Sequence, residues 1–134
     1  MGIFKGSIKF GACILAAASL YTYAVNSTPK ISSQSHLEEV VKEISAEIDP
    51  NFDTDKIICK YDASTFKSSR PGQKYLLEVN GPYTHLSTVK HEVYHIIDGH
   101  VDKKRNLEST AAKLAVTPWY EAQAMLYEIT GLKL

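Results

Sequence analysis

The sequence predicts an α+β domain in which helices pack on a small, mostly antiparallel sheet. Two apolar runs, residues 56–61 and 74–79, have the composition of strands and flank a turn-rich stretch, so they are expected to be antiparallel neighbours. One helical pattern precedes both runs and the others follow them, and this segregation is typical of α+β folds. With 134 residues, 44% of them hydrophobic, the chain fits one compact domain.

The first 24 residues have the layout of a secretory signal. Lys5 and Lys9 precede an apolar stretch that ends near Ala24, and no acidic residue occurs in this segment. The stretch is about 15 residues long, whereas a spanning helix needs roughly 20, which favours cleavage after Ala24 over an uncleaved membrane anchor. The protein is therefore expected to be exported to the periplasm or the extracellular space, or to be anchored to the membrane by residues 1–24.

The remaining chain divides into a spacer, residues 25–35, and a folded domain, residues 36–134. The spacer is rich in Ser, Thr, Pro and Asn and is expected to be flexible. Ser35 with Glu38 forms a possible capping box for the first helix of the domain, which should end near Asp49 and Pro50. Its apolar residues recur at helical spacing: Leu37, Val40, Val41, Ile44 and Ile48.

Two further helices are predicted after the strands. A turn at Gly81 and Pro82 precedes an amphipathic helix at about residues 84–98, which Gly99 should terminate. A polar link at residues 101–106 and a mixed segment at residues 107–116 follow. Thr117 as the cap and Pro118 in the first turn then predict a last helix that is closed by Gly131.

Charge and cysteine content narrow the classes of function. The formal net charge is zero and the basic residues are scattered along the sequence, which argues against nucleic acid as the main partner. We expect a monomer. Cys59 lies in an apolar run and is expected to be a small hydrophobic residue rather than a nucleophile.

The residues with the strongest chemical signal lie on the helix at about 84–98. His91 and His95 are four residues apart, so their imidazoles project from one helix face within reach of one metal ion. Zinc bound by three protein ligands retains a position for water, and a neighbouring carboxylate such as Glu92 can take that water's proton. Chance occurrence of the pattern on a helix that faces solvent is the alternative interpretation.

His91-Glu92-x-x-His95 resembles the HExxH helix of the zincin metallopeptidases. In that family the two histidines bind Zn²⁺ and the glutamate is the general base, and a strand before the helix lies alongside the substrate. The resemblance implies a minimal zincin-like domain in which residues 74–79 form that strand, and His91 and His95 are metal ligands.

The third ligand distinguishes branches of the zincins. Gly99 and His100 do not match the metzincin spacing, so His100 is not expected to be a ligand. Glu121 followed by Ala124 resembles the E-x-x-A signature of compact gluzincin-like peptidases, in which the glutamate binds zinc and the alanine lets two helices approach. Glu128 is the rival ligand, expected to lie farther from the metal.

The resemblance implies a hydrolase that cleaves peptide bonds with a metal-activated water and Glu92 as the catalytic base. The alternative is a non-catalytic binding module that keeps the zincin fold and a structural metal. An intact Glu92 favours the enzyme, since a binding module has no use for a base beside the metal. Five side chains could stabilise the transition state: Tyr83, His85, His100, Tyr120 and Tyr127.

Overall fold

A computed structural model describes residues 2–107 and 109–132. These ranges contain five α-helices and a three-stranded mixed sheet, so the predicted α+β class is confirmed. The helices are α1 (Gly2–Asn26), α2 (Gln34–Ile48), α3 (Leu86–Ile97), α4 (His100–Arg105) and α5 (Thr110–Thr130). The strands are β1 (Ile57–Lys60), β2 (Asp62–Ser69) and β3 (Tyr75–Asn80).

The sheet has the strand order β1-β3-β2, with β3 in the centre. The two strands predicted from the sequence, β1 and β3, pair in parallel, and β3 pairs antiparallel with β2. The predictions of antiparallel neighbours and of a mostly antiparallel sheet were therefore wrong. The sequence analysis missed β2 because this edge strand is largely exposed and carries only two apolar residues, Ala63 and Phe66.

The core lies between the sheet and helices α2 and α3. Leu77 and Val79 on β3 and Val89 and Val93 on α3 are fully buried. Helix α2 spans nearly the predicted residues, but its N-cap is Ser33, whose side chain accepts a hydrogen bond from the backbone N–H of His36. The expected capping residue was Ser35, so the helix begins slightly earlier than predicted.

Helix α3 falls within the predicted range of about 84–98 and ends where expected. Gly99 adopts the left-handed conformation with φ of 78°, which glycine tolerates and which breaks the helical path. The next six residues form α4, so the segment predicted as a polar link is helical.

Helix α5 is continuous through the position at which a new helix was predicted to begin. Its N-cap is Ser109, whose side chain accepts from the backbone N–H of Ala112, whereas the Thr117 hydroxyl donates to the Lys113 carbonyl within the helix. Pro118 lies inside the helix, so its assignment to a first turn was wrong. Gly131 closes the helix as predicted, in the left-handed conformation.

The N-terminal segment forms a helix that leads directly to the domain. None of the described helices combines the length and apolar character that a membrane span requires. After α1, the segment predicted to be a flexible spacer packs against the domain: Ile31 is 1% exposed, and its backbone N–H donates to the Thr84 carbonyl at 2.9 Å. The folded unit therefore includes residues upstream of the predicted boundary at residue 36.

Asp102 anchors α4 to the sheet. Its carboxylate accepts hydrogen bonds from Arg70 Nη1, at 2.7 Å, and from the Tyr75 hydroxyl. Burial alone would raise the pKa of Asp102, but these hydrogen bonds and the charge of Arg70 hold that pKa below its usual value. Protonation would remove the charge that pairs with Arg70 and weaken both contacts.

Asp102→Asn is expected to lower the melting temperature at pH 7 by about 4 °C, the shift expected from losing one partly exposed ion pair. The folded-state pKa of Asp102 is lowered, so its contribution is present above the unfolded pKa, near 4, and is lost as the pH falls through the folded value. Thermal unfolding of both proteins at pH 7 and at acidic pH tests this. A difference in melting temperature between the two proteins that does not change with pH would contradict this prediction.

Candidate metal centre

Three side chains meet between α3 and α5. Glu121 Oε2 lies 3.0 Å from His91 Nε2, and Glu121 Oε1 lies 3.2 Å from His95 Nε2. The two histidine Nε2 atoms are 3.1 Å apart. The structure thus brings together the three residues that the sequence analysis named as metal ligands, and one donor atom of each lies within 4.8 Å of the others.

The spacing of these donors suits a tetrahedral metal ion. Zinc bonds of about 2.0–2.1 Å at tetrahedral angles separate neighbouring donors by about 3.3 Å. The observed separations are 3.0–3.2 Å, so adjustments of a few tenths of an ångström would accommodate the ion. Two imidazoles and one carboxylate form a donor set that zinc accepts, and three protein ligands leave a fourth position open.

Packing between α3 and α5 places Glu121 opposite the histidines. Ala124 is fully buried, so its small side chain allows the helices to approach closely. Tyr94 on α3, next to His95 in sequence, and Tyr127 on α5, six residues after Glu121, stack with ring centroids 5.0 Å apart. Because Glu121 lies in the middle of α5, the N-terminal helix dipole does not explain its presence.

Glu128, the rival ligand in the sequence analysis, lies on the other side of the His91 ring. Its Oε2 is 3.0 Å from His91 Nδ1 and also accepts a hydrogen bond from the Tyr21 hydroxyl at 2.8 Å. A hydrogen on His91 Nδ1 that points to Glu128 leaves Nε2 with its lone pair toward Glu121. Glu128 therefore orients the ring of His91, a candidate ligand, and it does not belong to the group that could hold a metal.

His100 has the same relation to His95. His100 Nδ1 lies 2.9 Å from His95 Nδ1, on the ring edge that faces away from Glu121. If His95 carries its hydrogen on Nδ1, His100 accepts it and carries its own hydrogen on Nε2. That nitrogen is 2.8 Å from Asp98 Oδ2, although the angle is poor for a hydrogen bond. His100 is 1% exposed and stacks on Tyr120.

The protonation tendencies of the three ligands differ. Burial, followed by the nearby charge of His91, lowers the pKa of His95 to about 4, which favours the neutral ring that a metal requires. Burial would also lower the pKa of His91, but Glu128 and Glu92 outweigh it and raise that pKa. Burial would raise the pKa of Glu121, whereas the two histidines lower it and favour the carboxylate.

A cleft of about 440 Å³ opens beside these ligands and is lined by His95, Glu121 and Glu92. Burial raises the pKa of Glu92, and a hydrogen bond from Ser68 on β2 opposes that shift. A carboxylate with a raised pKa is a stronger base than an exposed one. Glu92 is next to the first histidine in sequence and faces the open side of the site.

Edge strand β2, rather than the predicted strand at residues 74–79, borders this cleft. Phe66 and Ser68 are among the lining residues. The predicted strand corresponds to β3, which is paired on both sides and so has no free edge to offer a substrate. The reason for the error is the missed strand β2, which displaces β3 to the centre of the sheet.

The five candidate stabilisers of the transition state are placed unequally. Of these five residues, His100 alone lines the cleft. Its Nδ1 is within hydrogen-bonding distance of His95 Nδ1. Tyr127 donates to Glu47 on α2, and Tyr83 is 70% exposed at the opposite end of α3 from the cleft.

Cys59 lies on β1, where burial raises its pKa to about 11, so its thiolate is disfavoured at neutral pH.

Several residues of the site were not identified from the sequence. Asp98 contacts His100, Tyr21 donates a hydrogen bond to Glu128, and Ser68 donates a hydrogen bond to Glu92. One signal was available: each histidine that binds a metal donates a hydrogen bond from its second ring nitrogen to an acceptor. That requirement shows that acceptors must exist, but it does not identify them without knowledge of helix packing.

Comparison of the chain with protein-family profiles, with curated proteins and with solved structures gave no match.

Glu128→Gln is expected to weaken zinc binding about 10–100-fold, because the amide removes the charge that orients His91 and strengthens it as a ligand. Glu47→Gln is the matched control, since Glu47 also contacts α5 but bonds to Tyr127 instead of to a ligand. Competition for zinc with a chromophoric chelator measures both affinities. Equal affinities in the two variants would show that Glu128 has no such role.

Proposed function

We propose that this protein is a zinc-dependent peptidase of compact gluzincin-like type, with His91, His95 and Glu121 as the metal ligands and Glu92 as the catalytic base. The observation that carries the proposal is the convergence of those three side chains at donor distances that suit zinc, beside an open cleft that Glu92 lines. A buried cluster of this composition with no cleft would suit a structural metal equally well.

The chain's own residues account for the proton transfers of peptide hydrolysis. A zinc ion in the site would polarise the substrate carbonyl and lower the pKa of water toward about 7. Glu92 takes one proton from the attacking water and delivers it to the leaving amine as the C–N bond breaks, while the hydroxyl joins the carbonyl carbon. His91 and His95 must stay neutral and oriented, which Glu128 and His100 support through the opposite ring nitrogens.

Strand β2 supports a peptide as the substrate. It is an edge strand, and no described strand pairs with its outer side, although the Ser68 backbone N–H donates to Glu92. An extended peptide can add to such an edge through main-chain hydrogen bonds. This mode of binding would bring a peptide bond past Glu92 without requiring a particular side chain.

Metal analysis and a peptide library test the proposal together. We expect the purified full chain to bind one equivalent of zinc and to cleave members of a mixed peptide library, with products identified by mass spectrometry. A chelator should abolish cleavage and added zinc should restore it. Zinc binding without cleavage of any peptide would support the non-catalytic binding module instead, and failure to bind zinc would refute both.

We also propose that the protein is exported and that it is cleaved after Ala24, which would remove Tyr21 and leave the Glu128 carboxylate bonded to His91 alone. The residue that would become the new N-terminus is tied to the domain, since the Val25 carbonyl accepts from Ser87 Oγ at 3.3 Å and from Thr28 Oγ1 at 2.9 Å. Intact-mass analysis of protein collected outside the cytoplasm should give a chain that begins at Val25. An uncut N-terminus on a membrane-bound protein would support the anchor, and an uncut cytosolic protein would contradict both.

A further inference from the structure

The cleft beside the candidate metal centre is rimmed by cations from three separate elements. They come from the β2 end of the sheet, from α4 and from the first turn of α5: Lys67, Arg70, Lys104, Arg105 and Lys113. The acidic residues among the lining are Glu92 and Glu121, which the proposed function already uses. These cations come from three stretches of the sequence, and the fold gathers them in a chain whose formal net charge is zero.

Three of these cations have no ion-pair partner among the residues that the structure describes. Arg70 pairs with Asp102 at 2.7 Å, and Arg105 donates to the Gly72 carbonyl. Lys67, Lys104 and Lys113, in contrast, form no ion pair within 4.0 Å with any residue that the structure describes. The cleft therefore presents positive charge that is available to a ligand.

Lys104 is the cation most closely connected to the metal centre. It is half-buried, whereas Lys67 and Lys113 are exposed, and its charge lowers the pKa of both His95 and Glu121. The Asp102 contacts with Arg70 and Tyr75 fix α4 against the sheet, so the backbone that carries Lys104 is held beside the cleft. A cation that adds positive potential beside the candidate site without forming an ion pair with a described residue suits an anionic group on a bound ligand.

We infer that the cleft selects acidic peptides, with the lysine trio Lys67, Lys104 and Lys113 binding Asp or Glu side chains on either side of the bond presented to Glu92. This inference rests on the proposed function for its catalytic meaning. The positions fit an extended chain, because Lys67 lies on edge strand β2 while Lys104 and Lys113 lie on the helical side of the cleft. Charges placed along both sides would recognise acidic side chains that alternate along a strand.

Single-stranded nucleic acid is the other polyanion that a basic cleft could bind, and the lining disfavours it. Binding of bases requires aromatic side chains on which successive bases stack. Phe66 is the single Phe, Tyr or Trp side chain among the described residues of the lining, and the two lining histidines contact each other. The free edge of β2, in contrast, provides backbone partners for a peptide.

Binding to the full chain, measured with and without zinc, tests the inference independently of hydrolysis. The probes are a fluorescein-labelled peptide rich in glutamate and a matched peptide with glutamine at those positions, followed by fluorescence anisotropy. We expect the glutamate peptide to bind about tenfold more tightly at low salt, with a preference that shrinks as salt is added. Equal binding of the two peptides would overturn the inference.

Charge-removing variants locate the effect. Lys104→Gln should reduce the glutamate-to-glutamine preference about threefold, and replacement of all three lysines should abolish it. Lys42→Gln is the matched control, because Lys42 is an exposed lysine on α2 that lines a different surface and should leave the preference unchanged. An undiminished preference in the triple variant would overturn the inference, as would tighter binding of a single-stranded oligonucleotide of equal charge.

Hydrolysis separates failure of this inference from failure of the proposed function. Cleavage of both peptides at equal efficiency, expressed as kcat/KM, would refute the preference for acidic peptides but would support the proposed peptidase activity. Preferential binding of the glutamate peptide with no cleavage of any peptide would support the acidic cleft and refute the peptidase.

Discussion

Glu92→Gln is expected to leave zinc bound and to lower peptide hydrolysis by at least about a hundredfold, because general-base assistance is typically worth that much or more. Glutamine has nearly the same shape but cannot take a proton at neutral pH. Glu92 is absent from the group of possible metal ligands, and it lines the cleft within hydrogen-bonding reach of Ser68. The substitution therefore changes the proposed base and leaves the ligands in place.

Two measurements on the same preparation make this result specific. Zinc content per chain should equal that of the unmodified protein, and kcat on a fixed peptide should fall. Glu43→Gln on the exposed face of α2 provides the same chemical change away from the cleft and should have no effect. Undiminished turnover in Glu92→Gln would assign the base elsewhere, and loss of zinc would make Glu92 a ligand.

Elements with strong local signals were predicted well. Helix α3 carries apolar residues at helical spacing and ends at Gly99, and both cues depend on residues within one or two turns of each other. Strand β2 has no equivalent cue, because an exposed edge strand need not alternate apolar and polar residues. Its position in the sheet depends on pairing with β3, which is not encoded in its own composition.

Pro118 illustrates a local signal with two physical outcomes. A proline suits the first turn of a helix, but it can also lie inside one if the carbonyl four residues earlier finds another partner. Here that carbonyl belongs to Leu114. Because Leu114 is 68% exposed, water can donate a hydrogen bond to the carbonyl. Whether the helix continues was decided by the cap at Ser109 and by packing on α3, both outside the local pattern.

Parts of the candidate site were likewise predictable from local signals, and other parts were not. The spacing of His91 and His95 places them on one helix face from the sequence alone. Glu121 was named through its resemblance to a motif, and the partners of the histidines were not assigned. Those partners depend on the register between α3 and α5, in which His91 meets Glu128 across a separation of 37 residues.

The three-ligand assignment makes its clearest prediction at Glu121. Glu121→Ala should remove one of three protein donors and weaken zinc binding by more than about a hundredfold, beyond the roughly 10–100-fold range expected for outer partners. Glu128 and His100 supply no donor in this assignment. Their contacts with the ligand rings now lead us to expect intermediate losses.

The order of zinc affinities among the variants therefore tests the geometry. Unmodified protein and the Glu47→Gln control should bind most tightly, Glu128→Gln and His100→Ala should be intermediate, and Glu121→Ala should be weakest. Chelator competition at one fixed pH keeps histidine protonation constant, which matters because metal binding displaces protons from its ligands. Full affinity in Glu121→Ala would remove Glu121 from the site, and a greater loss in His100→Ala than in Glu121→Ala would show that His100 supplies the third ligand.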